Sequence, residues 1–295
     1  MTNSLVVEWI DPRGKTWNLT TGEQGVIFDM GQQGLGWSTI QHATARSGQR
    51  ILSSTLERAV HNLAISLDPE RVGMPAYELR EEWWYKANSP YDYGTLKFTR
   101  PDGVVRTRRL KLADTPDTKL TYDPGIGAGD VVEVWPLTGN GPWWEGVAQE
   151  HIITYADLTG GNDTPFYGAD GTAYPFYISR PFAAQGVTID NTGQGPMWLT
   201  WELTGPMTDP VIGFDGGALL QYKGVISAGE KITIITDPEY RRVIDGDGMS
   251  MFGYLYGRVA PTPKGQQVPL VFTAQAIGAA TRAVVTGVTR YAAPF

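Results

Sequence analysis

Three histidines are the first residues to test for catalysis or metal binding: His42, His61 and His151. They are scattered along the chain, and none stands in an HExxH pattern, which would place two imidazoles on one helix face to hold zinc. The chain has no cysteine, so thiolate metal sites, disulfides and cysteine nucleophiles are excluded. We therefore interpret the histidines as surface or interface residues, and a metal cluster is the disfavoured alternative.

A short acidic segment, Asp245-Gly246-Asp247-Gly248, has some features of a calcium loop. An EF-hand loop needs oxygen ligands at its first, third and fifth positions and a glutamate at its twelfth. Here the fifth position is Met249 and the twelfth is Tyr256. The segment instead predicts a hairpin turn, for which Asp-Gly pairs are favoured.

Paired carboxylates are the remaining route to an enzyme, because a glycosidase needs two acids about 5–9 Å apart across a sugar. Glu81 and Glu82 are adjacent on a predicted helix and so point in different directions, while Asp237 and Glu239 flank a proline in a turn. No GxSxG motif is present, and the nucleotide-binding motifs also fail, because the P-loop-like Gly14-Lys15-Thr16 lacks its first glycine. The sequence therefore predicts no catalytic residue, no cofactor site and no metal site.

Length and composition limit the remaining function classes. The 295 residues suggest about two domains. The net charge of −7 disfavours a general nucleic-acid binder, which needs surplus cations to displace counterions from phosphates. The first nine residues lack the basic start and apolar run of a signal peptide, and no segment approaches the roughly 18 apolar residues of a membrane span. We expect a soluble protein without membrane insertion.

The elements that would position a site are mostly strands, so the predicted fold class is all-β with one short helix. Alternation predicts a half-buried strand over His61–Leu67 and a hairpin over Gly94–Leu112. Strands then recur about every ten residues, which is typical of an antiparallel sandwich. Seven are predicted: Gly186–Asn191, Met197–Thr204, Ala218–Tyr222, Lys231–Thr236, Tyr254–Val259, Gln267–Ala274 and Ala283–Arg290. A loop-rich stretch places the domain boundary near residue 160, giving domains 1–160 and 161–295.

The helix is predicted over Pro75–Ala87, with Leu79 and Trp83 four residues apart on a shared buried face. Trp83, Trp84 and Tyr85 cannot all face one core, so at least one of them should meet another domain or chain. Aromatic residues and arginine are enriched at interfaces. We therefore predict an interface formed by Trp83, Trp84, Tyr85, Tyr91, Tyr93, Arg106, Arg108 and Arg109.

Several segments together resemble the distal tail protein family of long-tailed, non-contractile bacteriophages, whose members are often called minor tail proteins. In the first half these segments are Trp9–Trp17, Gly31–Trp37, His61–Leu67, Pro75–Ala87 and Gly94–Gly103. In the second half they are Asn191–Gly193, Leu203–Pro206, Ala228–Glu230, Ile232–Pro238 and Arg242–Val243.

This resemblance implies a non-enzymatic virion protein made in the host cytoplasm and built into the tail tip. Members form a hexameric ring that joins the tail tube to the hub and the receptor-binding apparatus, with DNA passing through the lumen without specific binding. The first domain would be a β-sandwich or barrel that forms the continuous belt of the ring. The second would be a galectin-like β-sandwich.

Ring formation needs a surface that docks onto an identical neighbour, and free strand edges can serve this purpose. We expect the Gly94–Leu112 hairpin and its nearby aromatics to supply such edges, so that Trp84→Ala lowers assembly and leaves the monomer folded. Six copies at −7 would carry −42, which suits a DNA-conducting lumen if the acids face inward.

Two alternatives remain open at this stage. One is a carbohydrate-binding module that anchors the virion to the host cell wall, which would need exposed Trp or Tyr in the second domain. Trp198 and Trp201 lie three apart on a predicted strand, so at most one of them points outward. The other alternative is a polysaccharide hydrolase, for which the sequence offers no convincing acid pair.

Overall fold

The computed structural model describes residues 4–36, 40–44, 51–118, 131–159, 182–183 and 186–295. The chain divides into two compact units. The first comprises Met1–Val147 together with Arg290–Phe295, and the second comprises Ala148–Thr289. The predicted boundary at residue 160 lies outside the described residues.

The first unit is built from antiparallel strands. In chain order they are β1 Val6–Ile10, β2 Thr16–Asn18, β3 Val26–Phe28, β4 Ile40–Thr44, β5 Ile51–Leu56, β6 Val60–Leu67, β7 Gly94–Thr99, β8 Val105–Leu112, β9 Asp117–Thr118, β10 Val131–Gly139 and β11 Trp144–Thr154, of which residues 148–154 belong to the second unit. The main sheet runs in the order β2-β1-β7-β8-β10-β6-β3, and β4 and β5 form a separate two-stranded sheet.

Hydrogen bonds at the seam bring the two ends of the main sheet together. Leu19, just after β2, donates its backbone N–H to Val7 of β1 at 2.9 Å, and its carbonyl accepts from Phe28 of β3 at 2.7 Å. Because pairing continues across this seam, the first unit approaches a closed barrel, which is one of the two architectures that the resemblance implies.

The Gly94–Leu112 hairpin forms as predicted, with β7 and β8 paired from Gly94↔Leu110 to Thr99↔Val105. Its turn is closed by Gly103, whose φ of +85° suits a residue without a side chain. Strand β6 differs from its prediction. It pairs with β3 and β10, and both faces are covered, since Ala64 and Ser66 are buried alongside Leu63 and Ile65.

Helical segments cover one part of the first unit. They are α1 Pro69–Val72, α2 Ala76–Glu81 and a π-helical segment Glu82–Ala87 that continues α2 without a break. The predicted Pro75–Ala87 helix therefore exists, with Pro75 at its N-cap. Leu79 and Trp83 share the buried face, as their spacing predicts.

The core of the first unit is dominated by tryptophan. Trp83 meets Trp17 with ring centroids 5.3 Å apart and Trp135 with centroids 5.9 Å apart, both edge to face. Trp84 adds a third edge-to-face contact with Trp135 at 5.2 Å. Such ring pairs add about 0.5–1.5 kcal/mol each to the burial of their surface, so they fix the helix against the sheet.

The second unit is an antiparallel sandwich with a short helix, α3 Tyr155–Thr159, and a 3₁₀ turn, Phe252–Tyr254. Its strands are β12 Phe182–Ala183, β13 Thr188–Asn191, β14 Leu199–Thr204, β15 Met207–Phe214, β16 Leu220–Tyr222, β17 Val225–Ile226, β18 Lys231–Ile235, β19 Arg242–Asp245, β20 Leu255–Gly257, β21 Gln266–Gln275 and β22 Arg282–Tyr291.

Two sheets enclose the core of the second unit. One contains β19-β18-β14-β22, and the other runs β12-β21-β15-β16-β20. Their inner faces meet at Trp201 of β14 and Phe272 of β21, with ring centroids 6.4 Å apart. The all-β class is confirmed.

One central strand, β15, is absent from the sequence prediction. Its segment Met207–Phe214 contains Asp209 and Pro210, which are typical of turns. The structure accommodates them in a register shift between Thr208 and Val211, where Asp209 adopts a φ of +47°. A bulge of this kind lets a proline lie within a strand.

Candidate interaction site

An open groove of about 610 Å³ lies beside the π-helical segment of the first unit. Its lining comes from the end of that segment, the loop that follows it, the end of β8 and the strand β10. The lining residues are Trp84, Tyr85, Asn88, Ser89, Pro90, Tyr91, Leu112, Ala113, Asp114, Thr115, Pro116 and Trp135. We call this feature the aromatic groove. It gathers three of the predicted interface residues.

The wall of the groove is anchored by one buried carboxylate. Glu133 on β10 is fully buried and accepts hydrogen bonds from the indole N–H of Trp84 at 2.9 Å and of Trp135 at 3.0 Å. Arg80 of α2 forms an ion pair with the same carboxylate. Both indole N–H groups are therefore already bonded to Glu133 and are not available to a partner.

Two tyrosines project at the rim of the groove. Tyr85 is 78% exposed and Tyr91 is 84% exposed. The loop that carries Tyr91 is ordered by Ser89, whose hydroxyl oxygen accepts the backbone N–H groups of Tyr91 at 3.1 Å and Asp92 at 3.0 Å. Large aromatic rings at this exposure on a rigid turn are typical of contact surfaces.

Beside the groove, Tyr93 and Arg109 form a second part of the predicted interface. Arg109 and Lys111 place their cationic groups 5.4 Å and 5.3 Å from the centre of the Tyr93 ring. The Tyr93 hydroxyl donates to the Asn140 side chain in the turn between β10 and β11. These contacts hold the tyrosine against the barrel and leave Arg109 exposed.

Trp83 and Arg108 were predicted at the interface, and the structure buries both. Trp83 is 0% exposed and Arg108 is 2% exposed. The Arg108 guanidinium donates to the carbonyls of Gly34 at 3.3 Å, Pro142 at 2.9 Å and Trp143 at 3.4 Å, and burial lowers its pKa to about 10. Arg108 thus holds two loops together, and in the isolated chain it presents almost no surface to a partner.

Arg106 also has a partner inside the first unit. Its guanidinium lies 3.9 Å from the centre of the Tyr291 ring and donates to the carbonyl of Ala293 at 2.6 Å. These contacts hold the end of the chain against β8. No local sequence pattern indicates these contacts, because the two residues are separated by 187 positions along the chain.

His61 was interpreted as a surface or interface histidine, and this is wrong for the isolated chain. The side chain is fully buried in β6. Burial, together with the nearby Arg108 charge, lowers the pKa of His61 to about 3. The imidazole is therefore neutral at physiological pH and serves as a packing residue.

The acidic segment tested for calcium is a hairpin turn, as predicted. Asp245 accepts the backbone N–H groups of Asp247 at 3.0 Å and Met249 at 2.8 Å through one carboxylate oxygen. Gly248 completes the turn with a φ of +83°. Within the described residues no group of three or more acidic or histidine side chains could hold a metal ion.

The hairpin formed by β4 and β5 is the most exposed sheet of the first unit. Every β4 side chain is exposed, and Ile40 and Ile51 are 46% and 57% exposed. In the described part of the chain the two strands pair only with each other, from Ile40↔Leu56 to Thr44↔Ile51. Both outer edges of this hairpin are therefore unpaired.

The second unit presents aromatics near the short edge strand β20. Tyr254 and Tyr256 are about half exposed, and the Lys223 ammonium lies 4.5 Å from the centre of the Tyr256 ring. Tyr254 leans on buried Tyr222, with ring centroids 5.8 Å apart. Trp201 is buried in the core, so it offers no surface for a ligand. Among the described residues, no helix is long and apolar enough to cross a bilayer.

The fold is similar to those of two solved phage proteins. It matches the solved structure of the SPP1 Dit protein (gp 19.1), presented as a paradigm of the hub adsorption apparatus in Gram-positive-infecting phages, with a TM-score of 0.58. The match covers 96% of this chain and 98% of that one at 11% identity. A chain of the phage P2 baseplate, in its activated conformation with Ca, matches with a TM-score of 0.51 over 97% and 98% at 14% identity. The chain thus has the fold of a phage distal tail protein.

Sequence comparison adds a named relative. The chain is 27% identical over 150 residues to minor tail protein Gp27 of Mycobacterium phage L5. The match covers 49% of this chain and 44% of that protein, so it spans less than half of the relative's length. No family model matches the chain. The predicted resemblance to distal and minor tail proteins is confirmed.

Proposed function

We propose that this chain is a structural, non-enzymatic virion protein that forms a hexameric ring at the distal end of a phage tail. The ring would join the tail tube to the tail-tip hub and the receptor-binding apparatus. The observation that carries the proposal is the match to the SPP1 Dit fold over 96% of the chain. The similarity to a mycobacteriophage minor tail protein supports the same place in the virion.

The expected ring contact has to be revised. The Gly94–Leu112 hairpin was expected to offer free edges, but both of its strands have further partners. Strand β7 also pairs with β1, and strand β8 also pairs with β10 and β11. Within the described residues, the β4–β5 hairpin has unpaired edges instead. An isolated two-stranded hairpin is at best marginally stable in water, so pairing with the next copy around the ring would stabilise it.

The test measures mass in solution. Native mass spectrometry and mass photometry of the purified chain, from 1 to 50 μM, should show a hexamer. Ile40→Lys and Ile51→Lys place a cation on each exposed hairpin strand, where lysine discourages edge pairing. Both side chains are exposed, so the monomer should keep its circular dichroism spectrum while the hexamer falls to monomer.

The matched control is Val225→Lys, an exposed apolar residue of the second unit at 68% exposure. It should leave the hexamer intact. Hexamers that persist in both hairpin variants would exclude the hairpin as the ring contact. A wild-type chain that stays monomeric with and without its tail neighbours would exclude the ring itself.

The charge of the chain is compatible with a lumen that passes DNA. Each copy carries −7, and like charge keeps a polyanion from adhering to a wall. A reconstruction of the ring that shows lysines and arginines lining the bore would contradict this part of the proposal.

A second candidate function is attachment to cell-wall carbohydrate through the second unit. It draws on Tyr254 and Tyr256, which lie two residues apart at an edge strand beside Lys223. Sugar rings stack on such aromatic faces. Sedimentation of the chain with purified host cell wall should be lost in Tyr256→Ala. Equal sedimentation of the two proteins, or none by the wild type, would remove this candidate.

A further inference from the structure

The aromatic groove has the features of an incomplete binding site. Elsewhere in the described chain, exposed or partly exposed rings are commonly covered by a cation. Examples are Arg109 over Tyr93 at 5.4 Å, Lys223 over Tyr256 at 4.5 Å and Arg241 over Phe252 at 5.0 Å. Tyr85 and Tyr91 line the groove, and within the described residues neither ring has a cation or another ring against it.

A buried acceptor adds an independent observation. Asn88 lines the groove and is 4% exposed. Its side-chain N–H donates to the Trp83 carbonyl at 2.9 Å, but its Oδ1 has no hydrogen-bond partner in the described structure. Leaving a buried acceptor unpaired is unfavourable, and such a group in a groove marks a place where a donor can be gained.

The charge of the groove indicates what kind of donor would fit. Asp114 is the one charged residue among the twelve that line it. Of the nearby cations, Arg80 pairs with Glu133 and Lys86 pairs with Glu82, while Arg109 and Lys111 lie against the Tyr93 ring beside the groove. Two open aromatic faces, a carboxylate and an unpaired amide oxygen together suit a guanidinium or ammonium group.

We propose that the aromatic groove binds a basic segment of another tail protein, which inserts an arginine or lysine side chain between Tyr85, Tyr91 and Asp114. A different polypeptide is favoured over a second copy because each copy carries −7, and a basic partner is complementary to that charge. The groove would then be distinct from the β4–β5 hairpin proposed for the ring.

The test uses the full chain and a defined probe. The probe is the peptide acetyl-Gly-Arg-Gly-Arg-Gly-amide, and its control is the same peptide with citrulline in place of arginine, which keeps the shape and removes the charge. Carbon-13 labelling of tyrosine allows NMR titration, with Tyr85→Phe and Tyr91→Phe assigning the two ring resonances. We expect saturable shifts of these two rings with the arginine peptide and about tenfold weaker binding of the citrulline peptide.

Variants test whether the arginine peptide binds in the groove or elsewhere on the surface. Tyr91→Ala and Asp114→Asn should each weaken binding of the arginine peptide by about three- to fivefold. Both side chains are exposed, so neither change should disturb the fold. Tyr254→Ala, which removes an exposed tyrosine of the second unit, should leave the affinity unchanged.

Three outcomes would overturn the proposal. The first is equal binding of the citrulline and arginine peptides. The second is a response of the Tyr85 and Tyr91 rings to maltohexaose and not to the arginine peptide, which would make the groove a saccharide site. The third is loss of the hexamer in Tyr91→Ala, which would make the groove a contact between copies. Because the titration can be run on the monomeric Ile40→Lys variant, its result is independent of the ring.

Discussion

Glu133 is the residue whose removal best tests how the groove wall is built. Its carboxylate is fully buried and holds three donors at once: the Arg80 guanidinium and the indole N–H groups of Trp84 and Trp135. Glu133→Ala leaves all three donors without this acceptor. The indole N–H of Trp135 is affected most, because this side chain is completely buried and water cannot replace the carboxylate as its hydrogen-bond acceptor.

The expected loss follows from these exposures. Breaking a buried ion pair by removing one partner costs about 3–5 kcal/mol, and each orphaned buried donor costs about 1–3 kcal/mol. The Arg80 side chain is 15% exposed and Trp84 is half-buried, so both can regain water. We therefore expect the lower end, about 3 kcal/mol for Glu133→Ala. In a unit of this size that corresponds to a fall in Tm of about 6–12 °C.

The assay is urea unfolding followed by tryptophan fluorescence, which reports on this unit because its core contains most of the buried tryptophans. Glu133→Gln keeps one acceptor oxygen and should lose about half as much stability. The matched control is Glu23→Ala, an exposed carboxylate of the same unit, which should change stability by less than about 0.5 kcal/mol. If Glu133→Ala loses no more than this control, the carboxylate does not organise the groove wall.

Three further predictions concern the barrel of the first unit. The pKa of His61 is lowered to about 3, so as pH falls below 6.5 only the unfolded chain takes up a proton on this residue. The free energy of unfolding should therefore fall by up to about 1.4 kcal/mol per pH unit. In urea titrations from pH 7 to 4, His61→Leu should reduce this dependence on pH. Burial raises the pKa of Asp11, but its bonds from Arg13, Lys15 and Trp17 outweigh this and hold the pKa below 3.8. Its stabilisation is therefore present above pH 3.8 and lost as pH falls through the lower folded value, so Asp11→Asn should reduce the difference in Tm between pH 5 and pH 2.5. A methyl group at Gly94 would lie 2.3 Å from the ring of buried Trp9, so Gly94→Ala should lower the free energy of unfolding by about 1–3 kcal/mol in the same urea assay. The control is Gly103→Ala in an open turn, where a methyl group meets no neighbouring atom and only the φ of +85° disfavours alanine.

Local sequence patterns predict much of the fold. The Gly94–Leu112 hairpin follows from alternation and a Pro-Asp-Gly turn, and the helix after Pro75 follows from the four-residue spacing of Leu79 and Trp83. All seven strands predicted beyond Gly186 are present in the second unit. Strand β15 could not be predicted, because its turn-like Asp209 and Pro210 are tolerated only through a bulge that pairing with β21 creates.

The candidate site was predicted less completely. The sequence identified the aromatic cluster after the helix, and Tyr85 and Tyr91 do project from it. It could not show that Trp83 faces the core or that Arg108 lies among three carbonyls, because the residues that surround these side chains are distant along the chain. The unpaired Oδ1 of Asn88 had no local signal either, because satisfaction of a polar atom depends on groups brought together by folding.

The sequence by itself determined the class of this protein: an all-β chain with one main helix, without cysteine or a catalytic motif, and similar to phage distal tail proteins. Alternation, turn chemistry and composition act over a few residues, so they can be read without coordinates. Only the tertiary structure decided which aromatic and basic side chains remain available to a partner. Burial and hydrogen bonding depend on contacts between residues that are distant along the chain, such as Arg106 with Ala293 or Glu133 with Arg80. No local sequence pattern encodes such contacts.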